Sequence, residues 1–196
     1  KPDQTAEVND KMFIQTEITP NPATLKFLPG CEIMSKGTAN FTNAEMAKNS
    51  PLALHLFAIE GVDAVYLGGD FITITKSETK EWETMKPLIL GAIMEHFSTG
   101  EPVIQDANSA HDDPEDDDLV DGSIEAQIKE LLDTRVRPAV AQDGGDIIFH
   151  SFEEGVVYLT MQGACAGCPS STATLKDGIE KMLIHYIPEV TEVRSA

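Results

Sequence analysis

Residues 142–186 read QDGGDIIFHSFEEGVVYLTMQGACAGCPSSTATLKDGIEKMLIHY. Asp143-Gly144-Gly145 is a turn signal. Behind it, Asp146 to Phe152 and Val156 to Met161 are apolar-rich runs separated by Glu153-Glu154-Gly155. That arrangement predicts a β-hairpin. A helix is predicted from Ser170 or Ser171, with Leu175, Ile179, Met182, Leu183 and Tyr186 on one face, until Pro188 stops it. Between strand and helix lies Gly163-Ala164-Cys165-Ala166-Gly167-Cys168-Pro169-Ser170-Ser171. Upstream, Ser123 is placed to cap a helix in which Ile124, Ile128, Leu131, Leu132 and Val136 form one apolar stripe, ending at Arg137-Pro138. Helix, hairpin, thiol loop and helix make an α+β unit.

The first half has the same mixed character. Phe13 to Ile18 and Thr24 to Leu28 read as short strands joined across Thr19-Pro20-Asn21-Pro22. Ser50 followed by Pro51 begins a helix that runs to Ile59. Val65 to Leu67 and Phe71 to Thr75 flank Gly68-Gly69-Asp70, a second hairpin. Trp82 to Phe97 sets Met85, Leu88, Ile89, Ala92, Ile93 and His96 at helical spacing, with Pro87 expected in the first turn. The fold class is α+β: two small domains, residues 12–104 and 122–196, each near the lower size limit for independent stability.

Charge places the boundary between them. The chain carries 14 Lys and Arg against 33 Asp and Glu, a net charge of −19. Nine of those acids and no Lys or Arg fall in residues 101–121. A self-repelling stretch with few apolar residues cannot bury enough surface to offset its ordering entropy, so residues 105–121 are expected to be a solvated, flexible linker. Residues 1–11 read as a tail. The acidic balance argues against nucleic acid and anionic membranes as partners, and no apolar run approaches a membrane span. Three cysteines are too few for a secreted disulfide framework, so a reducing compartment is expected.

Cys165 and Cys168 carry the chemistry. Two thiols three positions apart can share one metal centre, and Gly163, Ala164, Ala166 and Gly167 are small enough to let backbone N–H groups turn toward sulfur. The N-terminus of the following helix favours thiolate, so an exposed, electropositive pocket is expected. Three readings compete: metal or cluster ligation, thioredoxin-like thiol–disulfide exchange, and coincidence. Against exchange, no βαβ unit leads into the motif and no Trp precedes the first cysteine.

If a metal binds, four ligands are wanted and only one CxxC exists. His150 and His185 could complete a zinc site, but a strand position and a place far along a helix make that awkward. Two chains related by a twofold axis supply four thiolates more simply. His55, His96 and the lone Cys31 are expected to be packed residues. Asp143-Gly144-Gly145-Asp146 is expected to be a turn rather than a ligand. Arg135, Arg137 and Lys176 are candidates to neutralise charge at the site, or else solvated side chains with packed stems.

These residues resemble the Nfu family, the NifU-like iron-sulfur scaffold or carrier proteins of bacteria and mitochondria. In the second half the resemblance rests on Ile128 to Asp133, Arg135 to Pro138, Gln142 to Asp146, Gly163 to Ser171 and Thr174-Leu175-Lys176. In the first half it rests on Met12 to Thr16, Thr19 to Pro22 and Leu25-Lys26-Phe27, which are similar to the family's accessory domain. The resemblance implies that Cys165 and Cys168 ligate a 4Fe-4S cluster, 2Fe-2S being the alternative, bridging a homodimer. It implies upstream assembly proteins, and transfer to apo-proteins such as lipoyl synthase or aconitase by thiolate exchange. It implies no enzymatic turnover, and a bacterial cytoplasm or mitochondrial matrix as location. The first half and the linker are expected to modulate client choice or to hold the cluster domain at a variable distance.

Overall fold

The computed structural model describes residues 13–105, 122–166 and 169–196, with side chains from 172 onward in the last stretch. The tail 1–11, the linker beyond Gln105, and Cys168 lie outside the described residues.

The first half is a five-stranded antiparallel sheet covered on one face by two helices. The strands β1 (Gln15–Ile18), β2 (Thr24–Leu28), β3 (Ala39–Phe41), β4 (Val62–Leu67) and β5 (Ile72–Lys76) lie in the order β1-β2-β5-β4-β3. The β1–β2 connection closes because Asn21 Oδ1 accepts from Ala23 N at 3.0 Å and Thr19 Oγ1 donates to Asn21 O at 2.9 Å, in a loop where Pro20 and Pro22 offer no donors. β1 begins two residues later than the apolar run suggests, and Phe13 stays exposed. Strand β3 was not expected: three residues are too short to show a period.

Alternation along the strands sends Leu25, Phe27, Val65, Leu67, Ile72 and Ile74 into one core with Leu52, Leu56, Met85, Ile89 and Ile93. Those helical residues come from α1 (Pro51–Phe57) and α2 (Trp82–Thr99). Ser50 caps α1 as expected, its Oγ accepting from Ala53 N at 3.2 Å, a bond worth about 1 kcal/mol. It also donates to Val103 O at 2.7 Å, and Gln105 N donates to Asn49 O at 2.8 Å, so residues up to 105 fold back onto this half. α2 begins at Trp82 as expected, which makes Pro87 its sixth residue and places it in the second turn rather than the first. Gly100, with φ 70°, ends it.

His96 on α2 is fully buried, and among the described residues neither ring nitrogen has a hydrogen-bond partner. Burial lowers its pKa, the neighbouring His55 lowers it further, and Glu101 opposes both. The unfolded chain therefore takes up a proton as pH falls below about 6.5 while the folded chain does not, so stability is lost as pH falls through that window. Urea midpoints followed by emission of Trp82 are expected to drop between about pH 6.5 and 5 in the wild type, and His96→Leu is expected to flatten that slope. An equal slope in both would remove His96 as the cause.

The second half packs α3 (Ile124–Leu131), a π-turn (Leu132–Val136), α4 (Arg137–Gln142) and α5 (Pro169–Tyr186) on a three-stranded sheet. Its strands, β6 (Gly145–Glu153), β7 (Val156–Gly163) and β8 (Glu192–Ser195), lie in that order. Ser123 caps α3 as expected, accepting from Ala126 N at 3.1 Å. The helix does not end at Arg137-Pro138. A regular α-helix would drive the proline ring against the Thr134 carbonyl; the π-turn widens the backbone just ahead of it, and the chain stays helical to Gln142. The β6–β7 hairpin turns at Glu154 and Gly155, both with positive φ, as a two-residue turn demands. Strand β8 was not expected. It runs parallel to β7, and α5 makes the crossover between them. Among the described residues no helix is long and apolar enough to cross a membrane.

Candidate functional site: the thiol loop

The loop containing Cys165 sits where β7 hands over to α5. Gly163, with φ 64°, turns the chain off the sheet edge, and Ala166 N donates to Gly163 O at 3.1 Å to close the turn. Ala164 N donates to Gly144 O at 3.1 Å, which ties the loop to the turn preceding β6. From the other side Thr172 Oγ1, in the first turns of α5, donates to Cys165 O at 3.0 Å. The sulfur lies against Gly145: a Cβ at that position would stand 2.6 Å from Cys165 Sγ, so only a glycine hydrogen fits there. A cleft of about 560 Å³ opens beside it, lined by Cys165, Val136, Leu175, Ile179 and Met182, with Arg135, Asp143 and Pro20 among its remaining residues.

At Cys165 the exposed, electropositive setting expected from the sequence is not what forms. Cys165 is 6% exposed and belongs to the apolar core of the second half. Burial pushes its thiol up to about 11, and the carboxylates of Asp143 and Asp146 add to that shift, so at neutral pH the group is a thiol. The small residues that would let the loop open instead let the Asp143–Asp146 turn close over it. Helix α5 begins only at Pro169, four residues beyond Cys165. Cys168 lies outside the described residues.

The other candidates separate. Arg135 lines the cleft and stacks its guanidinium 4.8 Å from the Tyr186 ring. Arg137 is a structural cation, 3.1 Å from Asp133, 3.4 Å from Asp146 and donating from Nε to Ile147 O at 3.3 Å. Lys176 acts electrostatically on Glu192, on β8. His150 meets Thr160 at 2.7 Å, five residues along β6 from Gly145, roughly 16 Å away. His185 packs against Tyr186 in the last turn of α5. Among the described residues no three metal-binding side chains converge. Cys31 is half-buried against the first half's core, and burial raises its thiol pKa, as a packed residue requires.

Sequence reading missed the side chains that hold the turn from above. Paired positions put Glu17, Lys26, Thr73, Tyr66 and Asn40 in one row across the five strands, on the face away from the helices. A polar row of that kind reads as a solvated sheet face. Yet Lys26, Thr73 and Tyr66 are buried. Thr73 Oγ1 donates to Gly144 O at 2.7 Å and Lys26 Nζ donates to Gln142 O at 3.2 Å. Thr38 Oγ1 donates to Asp146 Oδ2 at 3.3 Å. The Tyr66 hydroxyl donates to Asp146 and stays protonated, burial and that charge raising its pKa far above the ordinary phenol value. The two halves therefore touch directly at the turn above Cys165 instead of standing apart.

Residues 14–100 match the family described as scaffold protein Nfu/NifU N terminal, and residues 128–194 match the NifU-like domain. A protein of Drosophila sechellia named NFU1 iron-sulfur cluster scaffold homolog, mitochondrial, is 53% identical over 185 residues, 93% of this chain and 64% of its own length. The protein of the same name from Drosophila grimshawi is 54% identical over 184 residues, 92% of this chain and 60% of its own. The chain thus spans a little under two thirds of these relatives. Among solved structures, a NifU-like protein from Saccharomyces cerevisiae is 28% identical with a TM-score of 0.46, covering 53% of this chain and 94% of that one.

Proposed function

Since this chain belongs to the Nfu/NifU family of iron-sulfur scaffold proteins, we propose that it binds an iron-sulfur cluster through Cys165 and Cys168 and passes it to apo-proteins. The observation that carries this reading is the match to the NifU-like domain over residues 128–194, which contains both cysteines. The family is one of scaffolds, and the proposal includes no turnover of a small substrate.

The cluster is read as 4Fe-4S and shared between two copies. Such a cluster takes four thiolates. Cys31 is packed into the first half's core, which leaves two cysteines per chain for the cluster. A twofold axis supplies the other pair. Loading requires thiolates, so it displaces the proton that burial keeps on Cys165, and the loop must rearrange as it does so. Delivery proceeds by ligand exchange, a client thiolate replacing one protein thiolate at a time. Enzymes that need 4Fe-4S clusters, such as lipoyl synthase and aconitase, are the proposed clients, and other assembly proteins the proposed source. Both relatives are named as mitochondrial proteins, which favours the mitochondrial matrix over a bacterial cytoplasm. Residues 12–104 and 122–196 are proposed as separate folding units joined by the acidic linker 105–121. The alternative is thiol–disulfide exchange at the same pair; it too needs a thiolate, so burial of Cys165 opposes it as it opposes cluster loading.

The test is anaerobic reconstitution of the wild-type chain with iron and sulfide, followed by metal and sulfide analysis and solution mass. About two irons and two sulfides per chain on a dimer is the expected result. A monomer that takes up no iron, with Cys165 and Cys168 cycling between dithiol and disulfide, would overturn the reading.

A further inference from the structure

The turn that closes over Cys165 is gripped from its other side by the first half. Thr73, Lys26, Tyr66 and Thr38 all bond to Gln142, Gly144 or Asp146. The next residue inward, Gly145, rests on Cys165 Sγ. We propose that the polar face of the five-stranded sheet is a latch: docked, it presses residues 142–146 down on the thiol loop, and it must release before Cys165 can take or give iron. The proposal deepens the assignment of Cys165 as a cluster ligand and rests on it.

Three features of the contact support a latch over a passive interface. Its hydrogen bonds all fall on residues 142–146, the stretch that covers the sulfur. It leaves no slack: a Cβ at Gly144 would meet Thr73 Oγ1 at 3.1 Å and Thr19 Cγ2 at 3.4 Å, and one at Gly163 would meet Tyr66 Cδ1 at 3.2 Å. Pro20, from the β1–β2 loop, also lines the Cys165 cleft, so the first half contributes to the wall of the cleft as well as gripping the turn over the sulfur. A cluster bridging two chains needs the sulfur at the surface, and the docked arrangement keeps it 6% exposed. One of the four bonds joins neutral groups and three have a single charged partner; none is an ion pair, so an open state is within reach. Iron binds only the open form and therefore draws the population toward it.

The test uses the full chain carrying Cys31→Ser and Cys168→Ser, which leaves Cys165 as its one thiol. Its alkylation by N-ethylmaleimide at a single near-neutral pH is followed by intact mass. Thr73→Val with Tyr66→Phe removes two of the grips at nearly constant volume. Alkylation is expected to become at least about tenfold faster, the effect of losing two hydrogen bonds that favour the closed form. Lys26→Met removes the third grip and keeps the apolar stem; an acceleration of at least about threefold is expected. Rates within about twofold of the parent in both variants would overturn the latch. If emission of Trp82 shows that the double variant has unfolded, Lys26→Met alone decides, with an unchanged rate counting against the proposal. The assay contains no iron, so failure of the latch and failure of the cluster assignment are read separately.

Discussion

Replacing Cys165 and Cys168 together by alanine is expected to abolish iron and sulfide uptake, from about two of each per chain to none, and to leave the chain monomeric under reconstitution. A cluster shared across a twofold axis counts each cysteine twice, so each single substitution already removes two of four ligands and is expected to lose most of the bound iron. Partial ligation cannot be made up from the surroundings. Among the described residues His150 and His185 lie far from the loop, and no group of three His, Cys, Asp or Glu side chains is placed to hold a metal. The cost to the fold is small by comparison. Cys165 sits in the core, and deleting its sulfur leaves a void beside Gly145 worth about 1 kcal/mol. Far-UV circular dichroism is therefore expected to stay at the wild-type signal. Cys31→Ser, in the other half, should load like the wild type. Full loading of the double-alanine variant would remove the thiol loop as the site.

Gly163→Ala is expected to be among the most destabilising single substitutions in the second half, on the order of 3 kcal/mol. Two independent effects add. The backbone there has φ 64°, a region that costs an L-residue about 1 kcal/mol or more. The added Cβ would also stand 2.5 Å from Gly144 O and 2.9 Å from Gly145 Cα. Those are backbone atoms of the turn that Thr73 holds in place, so they cannot swing aside as a flexible side chain would. Gly144→Ala, with φ 80° but its nearest contact at 3.1 Å to a side-chain hydroxyl, should cost clearly less. Urea unfolding followed both by circular dichroism and by Trp82 emission separates the halves, since Trp82 reports only the first. A loss below about 0.5 kcal/mol for Gly163→Ala would mean that residues 142–146 are free to move away, and that the turn is not clamped as the contacts indicate.

Much of this molecule was legible in its residues. Period-two and period-3.6 patterns located β2, β5, β6, β7, α1, α2 and α5, because each has a long enough run with one face apolar. Ser50 and Ser123 announced their helices because a short hydroxyl side chain is the cheapest partner for an orphan N–H. The cysteine pair marked the loop, since thiol spacing is chemistry written directly in sequence. The elements missed were those with no local signal: β3 is three residues long, and β8 exists only because α5 returns the chain alongside β7. The helix continuing past Arg137-Pro138 was missed because proline penalises a regular helix and is silent about a π-turn that relieves it.

What the sequence determined by itself, then, is the set of amphipathic pieces and the thiols between β7 and α5. What tertiary structure decided is the state of the surroundings of Cys165. Lys26, Thr73 and Tyr66 are polar residues on the outer face of a sheet, and their neighbours in sequence predict water there. They are buried because a turn more than sixty residues away along the chain brings carbonyl and carboxylate acceptors to meet them. Docking of that turn, together with the glycines that allow its close approach, buries Cys165 and raises its pKa. Local sequence records which groups are able to form hydrogen bonds; which of them find partners, and which face excludes water, depends on contacts made across the whole fold.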